Sequence, residues 1–152
     1  MIKARVFKKG SEPSTVVKRT IVFVDKEKNG VNYNFYEGVW SDVPDFKRLK
    51  PQRKGKTYNL SIEDIANLPD NFGLMMTSDL EIQQAGSYTF ELFSNDGSRM
   101  YLDGKLLINN GGLHGFIGKT GKAKLTKGKH KITIDYFQAG GGRGLELFYE
   151  GP

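Results

Sequence analysis

The chain has 152 residues and a formal net charge of +6, with 19 Gly, 10 Phe, 7 Tyr and no Cys. That length is enough for one domain with a buried core, and the lack of cysteine excludes disulfides, thiolate catalysis and thiolate metal ligation. The charge is uneven: residues 1–57 carry an excess of eight cationic side chains and residues 58–152 an excess of two acidic ones. The basic residues are scattered and no groove motif accompanies them, so they read as a solvated face and not as a nucleic-acid footprint.

Ile2 to Phe7 alternates apolar and polar residues, the pattern of a half-buried strand. Lys8 to Pro13 is a turn, and Val16 to Val24 is a second strand able to pair with the first as a hairpin. The charged run Asp25 to Gly30 marks a boundary, which sets residues 1–28 apart from residues 29–152. Val31 to Tyr36 is a strand with Val31, Tyr33 and Phe35 on one face. Glu37 to Phe46, with Trp40 and Pro44, is an irregular packed loop. Lys47 to Lys56 is basic and exposed, the one stretch that suits an anionic polymer. Ser61 is placed as the N-cap of a short helix, with Asp64 at the capping-box position and Pro69 beyond its end.

From residue 72 onward the strand signal is strong. Gly73 to Ile82 reads as one strand, bulged near Ser78 or Asp79. After a turn at 84–86, Ser87 to Ser94 alternates with Tyr88, Phe90 and Leu92 in phase. Asn95-Asp96-Gly97 is a tight turn, and Asp103-Gly104 is the strongest hairpin signal in the chain. Short strands over Arg99–Leu102 and Lys105–Asn109 flank that hairpin. A Gly-rich loop at 110–118 follows, then strands at Lys122–Leu125, His130–Tyr136 and Leu145–Tyr149, the last two separated by a loop at 138–144. Many short strands at this spacing make the chain all-β, a sandwich or barrel with at most one short helix. No apolar run approaches the length of a membrane span, so membrane insertion is not expected.

The run Gly86-Ser87-Tyr88-Thr89-Phe90 … Ser94-Asn95-Asp96-Gly97 … Tyr101-Leu102-Asp103-Gly104-Lys105 resembles the signature of the PA14 domain family. Gly112-Leu113-His114-Gly115, Leu125 to Ile132, Tyr136-Phe137 and Leu145 to Pro152 follow in the family's order. The opening Val31-Asn32-Tyr33-Asn34-Phe35-Tyr36 fits too, so the likeness covers residues 29–152. Residues 2–20 resemble the tail of the immunoglobulin-like repeat that follows hexosaminidase (chitobiase) catalytic domains.

The resemblance implies a PA14-type β-sandwich/barrel, of the kind attached to secreted bacterial glycoside hydrolases. It implies a non-catalytic accessory module that binds carbohydrate or guides substrate. The alternative is a structural packing domain that shapes a neighbouring catalytic domain and binds no free glycan. The partners implied are a glycan and the adjacent catalytic domain of the same chain. The location implied is secreted, periplasmic or cell-surface, with any signal peptide upstream of these residues.

In lectin-type members, two consecutive aspartates at the first turn bind calcium, which in turn holds sugar hydroxyls. Here the pair is Asn95-Asp96, so one charge is missing from a cation site that favours charged hard oxygens. Asn95 and Asp96 are therefore a weakened calcium candidate, and no other cofactor is expected. A turn whose side chains bond their own backbone accounts for the same residues.

The candidate ligand-binding residues are Asn95, Asp96, Asn109, Asn110, His114 and Arg143. His114 either meets a sugar from its loop or pins that loop internally, whereas His130 sits in strand alternation and reads as structural. Trp40, Tyr36 and Phe116 are a candidate aromatic platform, with core packing as the alternative. Two histidines, no cysteine and no nucleophile elbow leave no catalytic constellation. Gly140 to Gly144 lacks the Lys-Ser/Thr ending and following helix of a phosphate loop.

Overall fold

The computed structural model describes residues 30–152 throughout and, of the first 29, residues 2–4, 9, 10, 12 and 17–19. Strands β1 (Ile2–Ala4) and β2 (Val17–Arg19) pair antiparallel with Ile2 opposite Arg19, the hairpin expected from the sequence. The expected extensions of these strands, to Phe7 and to Val24, lie outside the described residues.

Nine further strands follow among the described residues: β3 (Val31–Glu37), β4 (Arg53–Thr57), β5 (Asn71–Ile82), β6 (Gly86–Asn95), β7 (Ser98–Leu102), β8 (Lys105–Asn110), β9 (Ile117–Leu125), β10 (Gly128–Ala139) and β11 (Gly144–Glu150). A six-stranded antiparallel sheet has the order β4-β3-β5-β10-β7-β8, and a three-stranded sheet the order β11-β6-β9. Side chains alternate across each strand. That alternation sends Leu74 and Met76, Ile134 and Tyr136, Phe90 and Leu92, and Met100 into one shared core between the sheets, each of them fully buried. The all-β sandwich expected from the sequence is what forms.

The other face of the six-stranded sheet carries a second, smaller core. Tyr36, Met75 and Phe137, the neighbours of core residues in β3, β5 and β10, point to this side and meet Val43, Phe46 and Trp40 from the loop after β3. The Asp45 carboxylate accepts the Lys47 N–H at 3.2 Å and starts a short 3-10 turn at Phe46–Arg48. Phe46 lies directly on Gly73, where a Cβ would overlap its ring. Its ring packs at 4.6 Å from Tyr36 and 5.9 Å from Trp40.

Several expectations are corrected. The segment at Ser61 is no helix: Ser61 Oγ accepts the Glu63 N–H at 3.3 Å, and a single Ile65 N–H to Ile62 carbonyl bond of 3.1 Å closes the turn. Ile62 and Ile65 are both buried there, so core packing, not helix propagation, sets the local backbone. The bulge expected near Ser78 or Asp79 is absent, since β5 and β10 pair continuously from Asn71 to Ile82. The register shift lies instead between Met100 and Tyr101, where β7 meets β8. Lys47–Lys56 is largely exposed, and its second half enters β4, the edge of the large sheet, a position where charged side chains discourage further pairing. Strand β9 starts at Ile117, earlier than its Gly- and Lys-rich sequence indicates.

Candidate functional site

The turn between β6 and β7, the loop between β8 and β9 and the loop between β10 and β11 come together around one side chain. Asp96, 8% exposed, accepts the His114 N–H on Oδ1 at 3.2 Å and the Ala139 N–H on Oδ2 at 2.9 Å. A buried carboxylate needs such donors to offset its lost hydration. One aspartate thus ties together segments 18 and 43 residues away. The peptide bond between Asn95 and Asp96 is cis, and the Asn95 carbonyl faces the buried Tyr136 hydroxyl. Burial is the main cause that holds that hydroxyl protonated far above the ordinary phenol range.

Gln138 fixes the third loop from inside. Its Oε1 faces the Tyr136 hydroxyl at 2.7 Å, and its amide N–H groups donate to the carbonyls of Gly140 at 2.7 Å and Gly142 at 2.9 Å. Gly140 and Gly141 have φ of 94° and 75°, the left-handed region that glycine enters without Cβ strain. A Cβ on Gly97 would come within 2.6 Å of Phe137 and 2.8 Å of the Gly112 carbonyl, so the turn must be glycine for the loops to close.

The structure brings the six expected ligand residues to this end of the sandwich, but most of their polar atoms face inward. Asn110 is fully buried and donates to Ser94 Oγ at 3.1 Å and to the Ile117 carbonyl at 3.2 Å, while its Oδ1 has no partner among the described residues. Asn109 Oδ1 accepts from Arg99 Nε at 3.1 Å and from the Gly111 N–H at 3.3 Å. The two ring nitrogens of His114 lie 2.8 Å from the Gly115 carbonyl and 3.0 Å from the Asn110 carbonyl, the loop-pinning arrangement. Asn95 is half-buried and Arg143 is exposed.

Arg143 Nη1 donates to the Leu68 carbonyl at 3.1 Å. Beside it runs a cleft of about 820 Å3 between the 61–68 segment and the start of β11, lined by Phe116, Glu63, Glu146 and Asn67 among others. Phe116 is 49% exposed and stacks on Phe93 with ring centroids 5.8 Å apart. Tyr36 and Trp40 do not join it, because both pack on Phe46 in the second core, on the other sheet. The expected three-member aromatic platform is therefore reduced to Phe116.

Asp42 was not singled out by sequence, although it organises the neighbouring loop. Its Oδ1 accepts the N–H groups of Val43 at 2.7 Å and Gly112 at 3.0 Å, and its Oδ2 pairs with Arg99 Nη2 at 2.7 Å. Arg99 also donates to the Val43 carbonyl at 3.0 Å. These partners stand 57 and 70 residues away in the chain, and no local pattern announces them.

His130 lies apart from this site, as expected. Its Nδ1 meets Asp103 Oδ2 at 2.7 Å and its Nε2 the Thr126 carbonyl at 2.9 Å. Hydrogen bonding to Asp103 raises the His130 pKa, and the same bond, with one from Lys131, lowers that of Asp103. Asp103 and Gly104 have φ of 50° and 78°, the paired left-handed residues of the expected hairpin turn.

The donor set at Asn95-Asp96 does not fit a calcium cage. Calcium takes six to eight oxygens, several of them charged. The turn offers one carboxylate whose two oxygens already accept backbone N–H groups. The orphaned acceptor on the neighbouring strand, Asn110 Oδ1 opposite Ser98, is a neutral amide oxygen. Among the described residues no three His, Asp or Glu side chains group as metal ligands.

A family model, the PA14 domain, matches residues 27–150. The chain belongs to the PA14 domain family. Solved structures similar to this PA14 domain include a PA14 sugar-binding domain from an RTX adhesin, at 19% identity and TM-score 0.68, with 80% of this chain and 89% of that one covered. A β-glucosidase from Kluyveromyces marxianus aligns at 21% identity and TM-score 0.66 over 86% of this chain and 18% of the enzyme. An α-xylosidase from Xanthomonas citri aligns at 14% identity and TM-score 0.61 over 81% of this chain and 14% of the enzyme. At these identities the likeness is one of fold, and the chain spans less than a fifth of either glycosidase. No curated protein sequence matches it. No helix of the described residues is long and apolar enough to cross a membrane.

Proposed function

We propose that this PA14 domain is a non-catalytic carbohydrate-binding module, an accessory to a secreted or cell-surface carbohydrate-active enzyme. The ligand sits at the loop end of the sandwich, where Asn95-Asp96, the 109–115 loop and the 138–144 loop meet. The observation that carries this reading is the bridging of all three loops by Asp96. A surface built of loops normally changes shape on binding, at an entropic cost. Here Asp96, Gln138 and His114 fix the loops beforehand, so the surface that carries Asn95 and Arg143 is preorganised. Fixed polar groups beside an exposed aromatic ring suit the alternating hydroxyl and C–H faces of a sugar.

A glycan array followed by calorimetric titration of soluble hits tests the reading. Binding of at least one oligosaccharide, weakened by substitution of Arg143, is the expected result. Silence across the array, with no heat on titration, would rule it out. A second reading, packing against a neighbouring catalytic domain, draws on the outer face of the small sheet. Phe148 is 53% exposed there and meets Phe93 edge-on at 6.1 Å.

A further inference from the structure

We infer that the ligand is a neutral pyranoside, about the size of a disaccharide, held without calcium in the cleft beside Phe116 and Arg143. This rests on the carbohydrate-binding reading and goes further by fixing the sugar's charge class, its seat and its independence of metal.

The cleft adjoins the Asn95 turn directly. Asn95 pairs with Gly144 across β6 and β11, and a Cβ on Gly142 would lie 3.4 Å from Asn95 Nδ2. Its volume of about 820 Å3 falls within the ~300–1,000 Å3 typical of small-ligand sites. Phe116 is half-exposed yet held in place. Phe93 stacks on it with the ring planes 23° apart, and it overlies Gly144, where a Cβ would come within 2.9 Å of the ring. A fixed aromatic ring loses little entropy when an apolar sugar face covers it.

The polar lining complements a polyol. The guanidinium of Arg143 has five N–H donors, and among the described residues its bond to the Leu68 carbonyl fixes it through Nη1. Glu63 and Glu146 add acceptor-only oxygens, and Ser61 and Asn67 add groups that do both. Vicinal hydroxyls, each donor and acceptor at once, pair with such a mixture. Charge decides between sugar classes: among the described residues, two carboxylates against one guanidinium line the cleft. A uronate or sulfated sugar would bring its anion beside the surplus carboxylate and lose affinity. Calcium, which would reverse that balance, has no charged cage at the turn.

The test is an NMR-monitored titration of the 152-residue chain with neutral disaccharides of glucose, galactose, xylose and mannose, and with digalacturonate as the acidic arm. Each is run in calcium and in EDTA. We expect a neutral disaccharide to shift the amides of Phe116, Arg143 and Gly144, with an affinity that EDTA changes less than twofold. Phe116→Ala should weaken it at least tenfold and Arg143→Gln several-fold, whereas Phe148→Ala on the outer sheet should leave it within twofold. The tighter binding of digalacturonate, loss of binding in EDTA, or full binding by folded Phe116→Ala protein would each overturn the inference while leaving carbohydrate binding intact. No binding by any sugar here or on the array would remove the parent reading itself.

Discussion

Asp135 offers a quantitative check of how the second core is built. It lies on β10 between Ile134 and Tyr136, facing the Phe46 side, and is 8% exposed with Oδ1 lacking a partner among the described residues. Burial is the main cause that raises its pKa from 3.8 to about 6, against the pull of Lys47 and Arg99 and with a further push from Asp45. The pKa values of Tyr36 and Tyr101 are themselves raised chiefly by burial, with a further push from the Asp135 charge. Below pH 3.8 the carboxyl is protonated in both folded and unfolded chains and costs nothing. Between 3.8 and about 6 the unfolded chain ionises while the folded one keeps its proton, so stability falls as pH rises. Above that window the full cost applies, about 3 kcal/mol at ~1.36 kcal/mol per pH unit.

Asp135→Asn replaces the carboxyl by a neutral isostere. The variant should exceed the parent in stability by about 1–3 kcal/mol at pH 7.5 and match it near pH 3.5. Urea unfolding at half-unit pH steps measures the difference directly. A stability difference that stays flat across pH 4–7, or a variant weaker than the parent at pH 7.5, would refute the reasoning.

Gly73→Ala forces a Cβ into the Phe46 ring, so it should cost about 1–3 kcal/mol, measured by thermal unfolding and relieved by Phe46→Leu in the same chain. Asn110→Ala removes the donors to Ser94 and Ile117 in a fully buried setting, and should cost about 1–3 kcal/mol in denaturant unfolding. Arg99→Ala cuts the Asp42 and Val43 bonds, and should speed amide hydrogen exchange at Val43 and Gly112 more than at β10. The His130–Asp103 pair contributes stability that is full below the histidine's ordinary pKa and fades as pH rises through its raised value. It also fades as pH falls through the lowered value of Asp103. His130→Ala should therefore cost most near pH 5–6 and progressively less as the pH is taken into the alkaline range, read from paired melting curves.

The core sheets were legible because strict alternation over Tyr88–Leu92 and Ile132–Tyr136 maps directly onto one buried face. The Asp103-Gly104 turn was legible because its backbone demands residues tolerant of positive φ. Where tertiary packing decided, local pattern misled. Ser61 carries a helix start signal, but Ile62 and Ile65 are drawn into the core before a second turn forms. Strand β4 and the first half of β9 run at sheet edges with Lys- and Gly-rich faces, which carry no apolar alternation to mark them as strands.

The site shows the same division. The turn at 95–97 and the loops at 110–118 and 138–144 are legible from the residue types that turns require, their joint role as a site is what the family resemblance implies, and the loops do meet. Which side chains remain outward-facing was not readable, because Asn110, His114 and Asn109 are engaged by partners that only the folded chain supplies. Phe116 was legible as an aromatic in a Gly-rich loop, but its separation from Trp40 and Tyr36 depends on which sheet each packs against.

The most direct test of calcium-free carbohydrate binding beside Phe116 at this end of the PA14 domain is to record intermolecular nuclear Overhauser effects between the ring protons of Phe116 and a bound neutral disaccharide, in EDTA. Contacts from the Phe116 ring to pyranose C–H protons are the predicted result. Contacts confined to the outer sheet at Phe148, or a complex that forms only when calcium is restored, would contradict it.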